Sequence, residues 1–349
     1  MAQLQRGTSF SAWWRSFRYH FTPPSFLPAA LGGVVAWAYA GSFSLWAYAL
    51  VVIVVTLNHF ALNMTDDYYD YMHSVDSAEG STKNPYSGGS GTLTSGEISP
   101  ARMRAAFFSL YAVTVSAGIV LTVTRGWPVL LFGVVGVLSA YFYTAPPIRY
   151  AYRGLGELSQ LLNFSLVIGL GAYFVQARTL SWEPVLATLP LGFMMFSMIT
   201  VNEIPDADED SSGGKKTLVV RFGRKAGVRL YGLGLLAAYL VILVTPLAGF
   251  SGFWIYGGLL TLPLAIRAYL ILTRSYESPS AMAPANLLTI RIHNLTGFLL
   301  IAAYVARGAL AGRNPADMIL PVLLVLVLYL PVAVKIFIAA PGGAKPAAG

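Results

Sequence analysis

From about residue 25 onward the chain is written in long apolar runs separated by short polar connections. Ten runs stand out: 25–41, 43–65, 104–124, 127–145, 158–176, 182–203, 227–247, 252–272, 290–311 and 317–339. Each is near the length of about 20 residues that an α-helix needs to cross the hydrocarbon of a bilayer. The first is the weakest, because Pro28, Gly32 and Gly33 interrupt it. The pattern predicts an all-α fold, a polytopic membrane bundle of helices with no separate soluble module.

Composition sharpens this. The 349 residues are 56% hydrophobic with a mean hydropathy of +0.63, and only 11% are charged, against about 25% in an average soluble domain. A large soluble helical protein would lack the charge to solvate its surface. There is no cysteine, which excludes disulfides and thiolate metal sites. The first thirty residues lack a basic start, a compact apolar core and a small-residue cleavage site, so no cleavable signal is expected.

With a cytoplasmic N-terminus and ten helices, 19 of the 23 Lys and Arg fall on the cytoplasmic side, and Arg125, Arg178, Arg307 and Arg313 on the other. The net charge of +8 is then a topology signal and argues against a nucleic-acid partner. The expectation is a multi-pass protein of the cell membrane, in contact with the lipid bilayer, whose N-terminus and acid-bearing face are cytoplasmic.

In this charge-poor chain ten of the fifteen acids are gathered in two stretches. Asn63-Met-Thr-Asp66-Asp67-Tyr-Tyr-Asp70, with Asp76 and Glu79, follows the second run. Asn202-Glu203-Ile-Pro-Asp206-Ala-Asp208-Glu209-Asp210 follows the sixth. Spacings of three and four put Asn63, Asp66, Asp67 and Asp70 on one helix face. Such carboxylates repel one another and are costly to desolvate near a membrane, so something must offset their charge. Asp206 and Asp210 stand four apart, in a region that Pro205 and Gly213-Gly214 predict to be a broken helix or loop. Oxygen ligands of this kind suit Mg²⁺, which takes one or two carboxylates plus substrate phosphates. The candidate metal ligands and catalytic acids are Asp66, Asp67, Asp70, Asp206 and Asp210, whereas Asp208 and Glu209 are expected to be merely solvated. Two clusters on one side of the membrane, each beside basic residues, are expected to converge on one cavity.

Cations able to hold a diphosphate lie between the acids: Lys83, Arg149, Arg153, and Lys215 with Lys216 after a Gly-Gly turn. The stretch Asn84-Pro-Tyr-Ser-Gly-Gly-Ser-Gly91 is a Gly/Ser-rich loop, either a backbone cradle for phosphate, a mobile lid or an ordinary connection. It does not match the Walker pattern.

Asp66-Asp67-Tyr-Tyr-Asp70 and Asp206-Ala-Asp-Glu-Asp210, each after its apolar run, resemble the paired motifs of the UbiA superfamily of intramembrane prenyltransferases. Asp76, the run Tyr152-Arg-Gly-Leu-Gly-Glu157 and the run Gly214-Lys-Lys-Thr-Leu-Val-Val-Arg-Phe-Gly223 are most similar to the branch that prenylates 1,4-dihydroxy-2-naphthoate in menaquinone synthesis. The resemblance covers roughly residues 15–310. The chain departs from it with Asp66 in place of the usual Asn, Ser74 in place of a frequent third Asp, and Tyr-Ser-Gly-Gly after Asn84-Pro.

The resemblance implies nine core transmembrane helices, with the tenth run an addition. That divides the chain into an interfacial segment at 1–24, a prenyltransferase domain at 25–311, and an additional helix and tail at 312–349. It implies a Mg²⁺-dependent transferase whose partners are a polyprenyl diphosphate and an aromatic acceptor. Asn63 and Asn202 join the cations as substrate-binding candidates. Tyr68, Tyr141 and Tyr143 would face an allylic cation, and Arg15 or Arg18 would hold an acceptor carboxylate or anchor the interface. Other acceptors are 4-hydroxybenzoate, homogentisate or a non-aromatic lipid precursor. Two readings from other classes are a transporter and a lipid phosphotransferase. The first would place its polar groups at mid-membrane, often in inverted repeats, and the second would carry a longer Asp-Gly…Ala-Arg…Gly pattern that is missing here.

Overall fold

The computed structural model describes residues 9–75, 84 and 86–338, and among these there is no strand. The short helix α1 (Phe10–Ser16) leads into α2 (Pro23–Val35), which continues as a π turn over Ala36–Ala40. Then follow α3 (Leu45–Met72), α4 (Pro100–Arg125) and α5 (Pro128–Tyr141). Helix α6 (Gly156–Leu162) passes through a π segment, Asn163–Leu170, into α7 (Gly171–Ala177). The second half holds α8 (Trp182–Ser212), the short α9 (Leu218–Phe222) and α10 (Arg224–Val244). A 3₁₀ stretch, Phe253–Thr261, opens α11 (Leu262–Ser275), and α12 (Pro279–Leu310) comes next. Last comes α13 (Ile319–Ala333), entered by a 3₁₀ turn at Pro315–Met318 and ending in a π turn at Val334–Ile338.

Among the described residues, helix thus occupies most of each of the ten apolar runs. Eight of these stretches are long and apolar enough to cross a membrane, while Pro128–Tyr141 is shorter. The starts follow ordinary capping chemistry: Ser99, Ser181 and Thr217 each accept a backbone N–H of the first turn through the hydroxyl, which satisfies a donor with no intrahelical partner. Large apolar side chains such as Val123, Leu247, Leu260 and Val327 are exposed around the outside, as expected of surfaces solvated by lipid. The protein is an all-α, multi-pass membrane bundle.

The interrupted first run has a packing explanation. Every residue of Pro23–Val35 is buried, so α2 is a central helix walled by protein. A Cβ at Gly32 would lie 2.2 Å from the Gly169 carbonyl oxygen, and small residues allow that backbone approach.

The expectation of a broken helix at Pro205 is corrected. Helix α8 runs unbroken to Ser212. Proline at 205 cannot donate to the Val201 carbonyl, but Asn286 Nδ2 of α12 donates to that oxygen at 3.1 Å. With its freed acceptor satisfied by a neighbouring helix, the chain stays helical, and all five acids of the second cluster ride on α8.

Candidate active site

Helices α3 and α8 end in the same way. At the first, Ser74 takes a left-handed φ of 56°, its N–H returns to Tyr71 O, and Val75 N–H returns to Asp70 O at 2.9 Å. At the second, Gly214 (φ 74°) sends its N–H to Ser211 O, and Lys215 N–H reaches Asp210 O at 2.8 Å. Both are the double-bonded left-handed cap that commonly closes a helix. The two caps touch: a Cβ at Gly213 would stand 2.4 Å from Val75 Cγ2, so a residue without a side chain lets the two acid-bearing ends meet.

The cap also turns Lys215 back over the helix end. Its ammonium lies 2.9 Å from Asp70 Oδ2 and 3.7 Å from Asp210 Oδ1, so one cation bridges the two clusters. Burial opposes the charge on Lys215, but the carboxylates of Asp70, Asp210 and Asp66 outweigh it and hold its pKa well above the ordinary lysine value. Tyr152 donates to Asp70 Oδ1 at 2.6 Å; burial first, then the Asp70 charge, pushes its phenol pKa up, so it remains a donor. Across the cluster Arg18 stands 3.3 Å from Asp66 Oδ2 and 3.6 Å from Asp67 Oδ1.

The Gly/Ser loop covers both clusters. Ser87 Oγ and Gly88 N donate to the two oxygens of Asp206 at 3.0 and 2.9 Å, and Ser90 N lies 3.2 Å from each oxygen of Asp67. Three asparagines tie the loop down. Asn84 Nδ2 donates to Asn286 Oδ1 at 3.2 Å, and Asn286 Nδ2 donates to Asn202 Oδ1 at 2.8 Å.

Asn63 donates to Phe17 O at 2.9 Å and so fixes the segment bearing Arg18. Tyr143 is buried, with the ring of Tyr150 set edge-on at 5.5 Å. Burial, then the Asp66 carboxylate, holds the Tyr143 phenol well above its usual pKa. Tyr141 and Tyr69 share a hydroxyl contact of 3.1 Å, and Tyr68 packs on Tyr69 and Phe107. Arg149 stacks 5.0 Å from the centre of the Tyr152 ring. Arg153 and Lys216 are exposed; Arg153 bonds Pro147 O, and the structure does not bring either side chain to the carboxylates. Arg15 pairs with Glu97 at the rim. Lys83, Asp76 and Glu79 lie outside the described residues.

Sequence reasoning gave little weight to Tyr152, Arg18 and Asn286. Tyr152 lies within the run Tyr152-Arg-Gly-Leu-Gly-Glu157 and Arg18 shortly before the first apolar run; Asn286, four residues ahead of the run at 290–311, is a polar residue at a helix end near the membrane, of the kind that asks for a partner.

From Tyr150 a cavity of about 330 Å³ extends between α3, α4, α5 and the π segment. Val55, Leu62, Ile119, Phe132 and Phe164 are among its walls, and Ile119 is 53% exposed, so the chamber opens sideways onto the outer surface of the bundle.

The donor set fits a hard divalent cation. Asp66 Oδ1 is buried with no hydrogen-bond partner, and the oxygens of Asp67, Asp70 and Asp206 are held by donors that a cation could replace. Among the described residues no three carboxylates or imidazoles already stand together as a ligand set, because Lys215 and the loop lie between them. Asp208 is different: its side chain is 84% exposed and pairs with Arg224 at 2.8 Å. Exposed pairs contribute about 0–1 kcal/mol, so Asp208→Asn should leave turnover within about twofold of the parent, measured on purified protein in detergent.

Residues 25–295 match the UbiA prenyltransferase family. The chain is 26% identical over 287 residues to the 1,4-dihydroxy-2-naphthoate octaprenyltransferase of Bacillus subtilis, covering 82% of this chain and 90% of that one. The Escherichia coli enzyme of the same name is also 26% identical, over 83% and 94%. In fold it is similar to a UbiA homologue from Aeropyrum pernix, with a TM-score of 0.59 at 16% identity over 80% of this chain and 97% of that one. A homologue from Archaeoglobus fulgidus bound to GPP and Mg²⁺ superposes with a TM-score of 0.51 at 15% identity, over 83% and 99%.

Proposed function

This chain belongs to the UbiA prenyltransferase family and is a prenyltransferase, and we propose that it moves a polyprenyl group from its diphosphate to 1,4-dihydroxy-2-naphthoate. The observation that carries this reading is the bridge of Lys215 between Asp70 and Asp210, which makes one anion-binding, cation-holding centre of two helix ends. The naphthoate acceptor rests on the relatives of that name in Bacillus subtilis and Escherichia coli.

In this proposal the carboxylates of Asp66, Asp67, Asp70, Asp206 and Asp210 hold Mg²⁺, which would offset the diphosphate charge as the allylic C–O bond breaks. Lys215, presented by the α8 cap, contacts the diphosphate directly, Arg149, Arg153 and Lys216 supply a surrounding positive field, and Lys83 is a further candidate cation for the donor. The apolar chamber takes the isoprenoid tail and lets its far end run out into lipid. Tyr143 and Tyr141 present ring faces to the developing allylic cation. The loop from Ser87 to Ser90 gives up Asp67 and Asp206 when the donor enters, then excludes the water that would otherwise capture the cation. The acceptor ring forms a C–C bond at the carbon bearing its carboxylate, CO₂ leaves from that carbon, and diphosphate departs. Both acid clusters face the cytoplasm, and the two shorter helical stretches cross the membrane with the other eight.

The test is a competition. Membranes containing the protein are given 1,4-dihydroxy-2-naphthoate, 4-hydroxybenzoate and a polyprenyl diphosphate together, and the lipid extract is analysed by mass. The expected product is a neutral, decarboxylated prenyl-naphthoquinol that forms only with Mg²⁺ present. Prenyl-hydroxybenzoate with its carboxylate intact, and no naphthoquinol, would overturn the acceptor assignment and leave the prenyltransferase.

A further inference from the structure

We infer that the C-terminal helix positions Arg18 in the acid site, through a contact between Lys335 and His20. The inference rests on the proposed role of that site in binding a prenyl diphosphate. Both partners in the contact, the segment before α2 and the helical stretch after Pro315, lie outside the residues that match the family.

Arg18 holds a left-handed φ of 47°, a conformation that a side-chain-bearing residue keeps only where its surroundings fix it. From there its guanidinium reaches Asp66 and Asp67. The 3₁₀ turn that follows, Tyr19–Phe21, is held from two sides. Behind it, Asn63 bonds Phe17 O and the ring of Trp14 lies 4.7 Å from that of Tyr19. Ahead of it stands the C-terminal helix: Lys335 Nζ is 3.1 Å from Nδ1 and 3.4 Å from Nε2 of His20, and 5.9 Å from the Tyr19 ring centre.

The charge states suit this contact. His20 is buried; burial, then the neighbouring Lys335 and Arg18, lowers its pKa well below the usual value. A neutral imidazole offers a lone pair to the ammonium. Lys335 is itself placed by α12: Arg291 Nε donates to Ile336 O at 2.9 Å, and the guanidinium lies 5.0 Å from the Phe337 ring centre. The path to the acids therefore starts at Arg291 on α12, which fixes the backbone beside Lys335 at Ile336 O, and passes through Lys335 and His20 to the segment that carries Arg18 and so to Asp66. Lys335 touches none of the proposed reacting atoms, so it is a positioning residue.

The experiment uses the full chain in lipid nanodiscs, with Lys335→Met, Lys335→Arg, Arg18→Met and the Arg18→Met/Lys335→Met double variant. Removing an outer-shell partner typically weakens a site by about 10–100-fold, so Lys335→Met should raise KM for the prenyl diphosphate about tenfold. Because the contact acts on binding, kcat should stay within about twofold. Lys335→Arg, which keeps a donor for His20, should restore KM, and both Lys335 variants should unfold at the parental temperature, whereas Arg18→Met, which leaves Asp66 and Asp67 without their cation, is compared only with the double variant. The double variant should be no worse than Arg18→Met alone, since both changes break one path. A wild-type KM in Lys335→Met, no rescue by arginine, or single effects that multiply in the double variant would each overturn the inference. A parent chain that transfers no prenyl group at all would overturn the reading of the site beneath it.

Discussion

Exchanging Asp70 for Asn should lower prenyl transfer by at least about 10²-fold, the scale of losing one preorganised electrostatic contact, while leaving the protein folded in the membrane. Asp70 sits where the ends of α3 and α8 meet Tyr152. One of its oxygens takes the Tyr152 hydroxyl, the other takes the Lys215 ammonium, and its backbone carbonyl closes the α3 cap. Asparagine keeps the cap and the size of the side chain but removes the charge, so the change isolates electrostatics from packing. Asp206→Asn should have an effect of similar size from the opposite helix, because Asp206 is the partner of Ser87 and Gly88. Turnover is measured at saturating Mg²⁺ and donor, with Asp208→Asn as the comparison. Near-parental rates in Asp70→Asn and Asp206→Asn would remove both acids from the proposed machinery.

The helices were legible in the chain because a bilayer asks for a simple thing, a long apolar run, and ten runs are there to read. The one-sided arrangement of Asn63, Asp66, Asp67 and Asp70 was legible for a similar reason, since helical spacing is a local property. Three features were not, and each depends on a distant residue. Pro205 reads as a helix breaker until Asn286, 81 positions later in the sequence, is seen to accept its consequences by bonding Val201 O. Gly213 reads as half of a flexible Gly-Gly turn, yet its missing side chain is what admits Val75 and brings the two acid ends together. Arg18 reads as a positive residue at the interface, and only the left-handed turn at that position sends it into the acids. Local patterns thus identified the groups, while close approaches between helices decided which of them share a site.

Lys215→Met should have the largest effect on stability, and the sign of its response to metal distinguishes two readings of the site. The lysine side chain is only 12% exposed and holds two carboxylates that are 7% exposed each. Breaking a buried pair by removing one partner costs about 3–5 kcal/mol, because the remaining charges are left unpaired. Methionine has nearly the reach of lysine without its charge, so Asp70 and Asp210 would repel across the junction of the two caps. A clear fall in the unfolding temperature in detergent is expected, with loss of transfer activity. If the carboxylates are a cation site in which Lys215 holds the place of part of the positive charge, added Mg²⁺ should recover more stability in Lys215→Met than in the parent. A ligand that binds only the folded state stabilises it in proportion to its affinity, and the variant would bind more tightly. Adding Asp70→Asn to Lys215→Met should also restore part of the loss, by removing one of the unpaired charges, and should shrink the Mg²⁺ response. If Lys215→Met unfolds at the parental temperature, the ammonium is not what holds the two helix ends together. If it is destabilised but Mg²⁺ restores nothing, the bridge is purely structural, and the metal proposed for the acids must bind elsewhere.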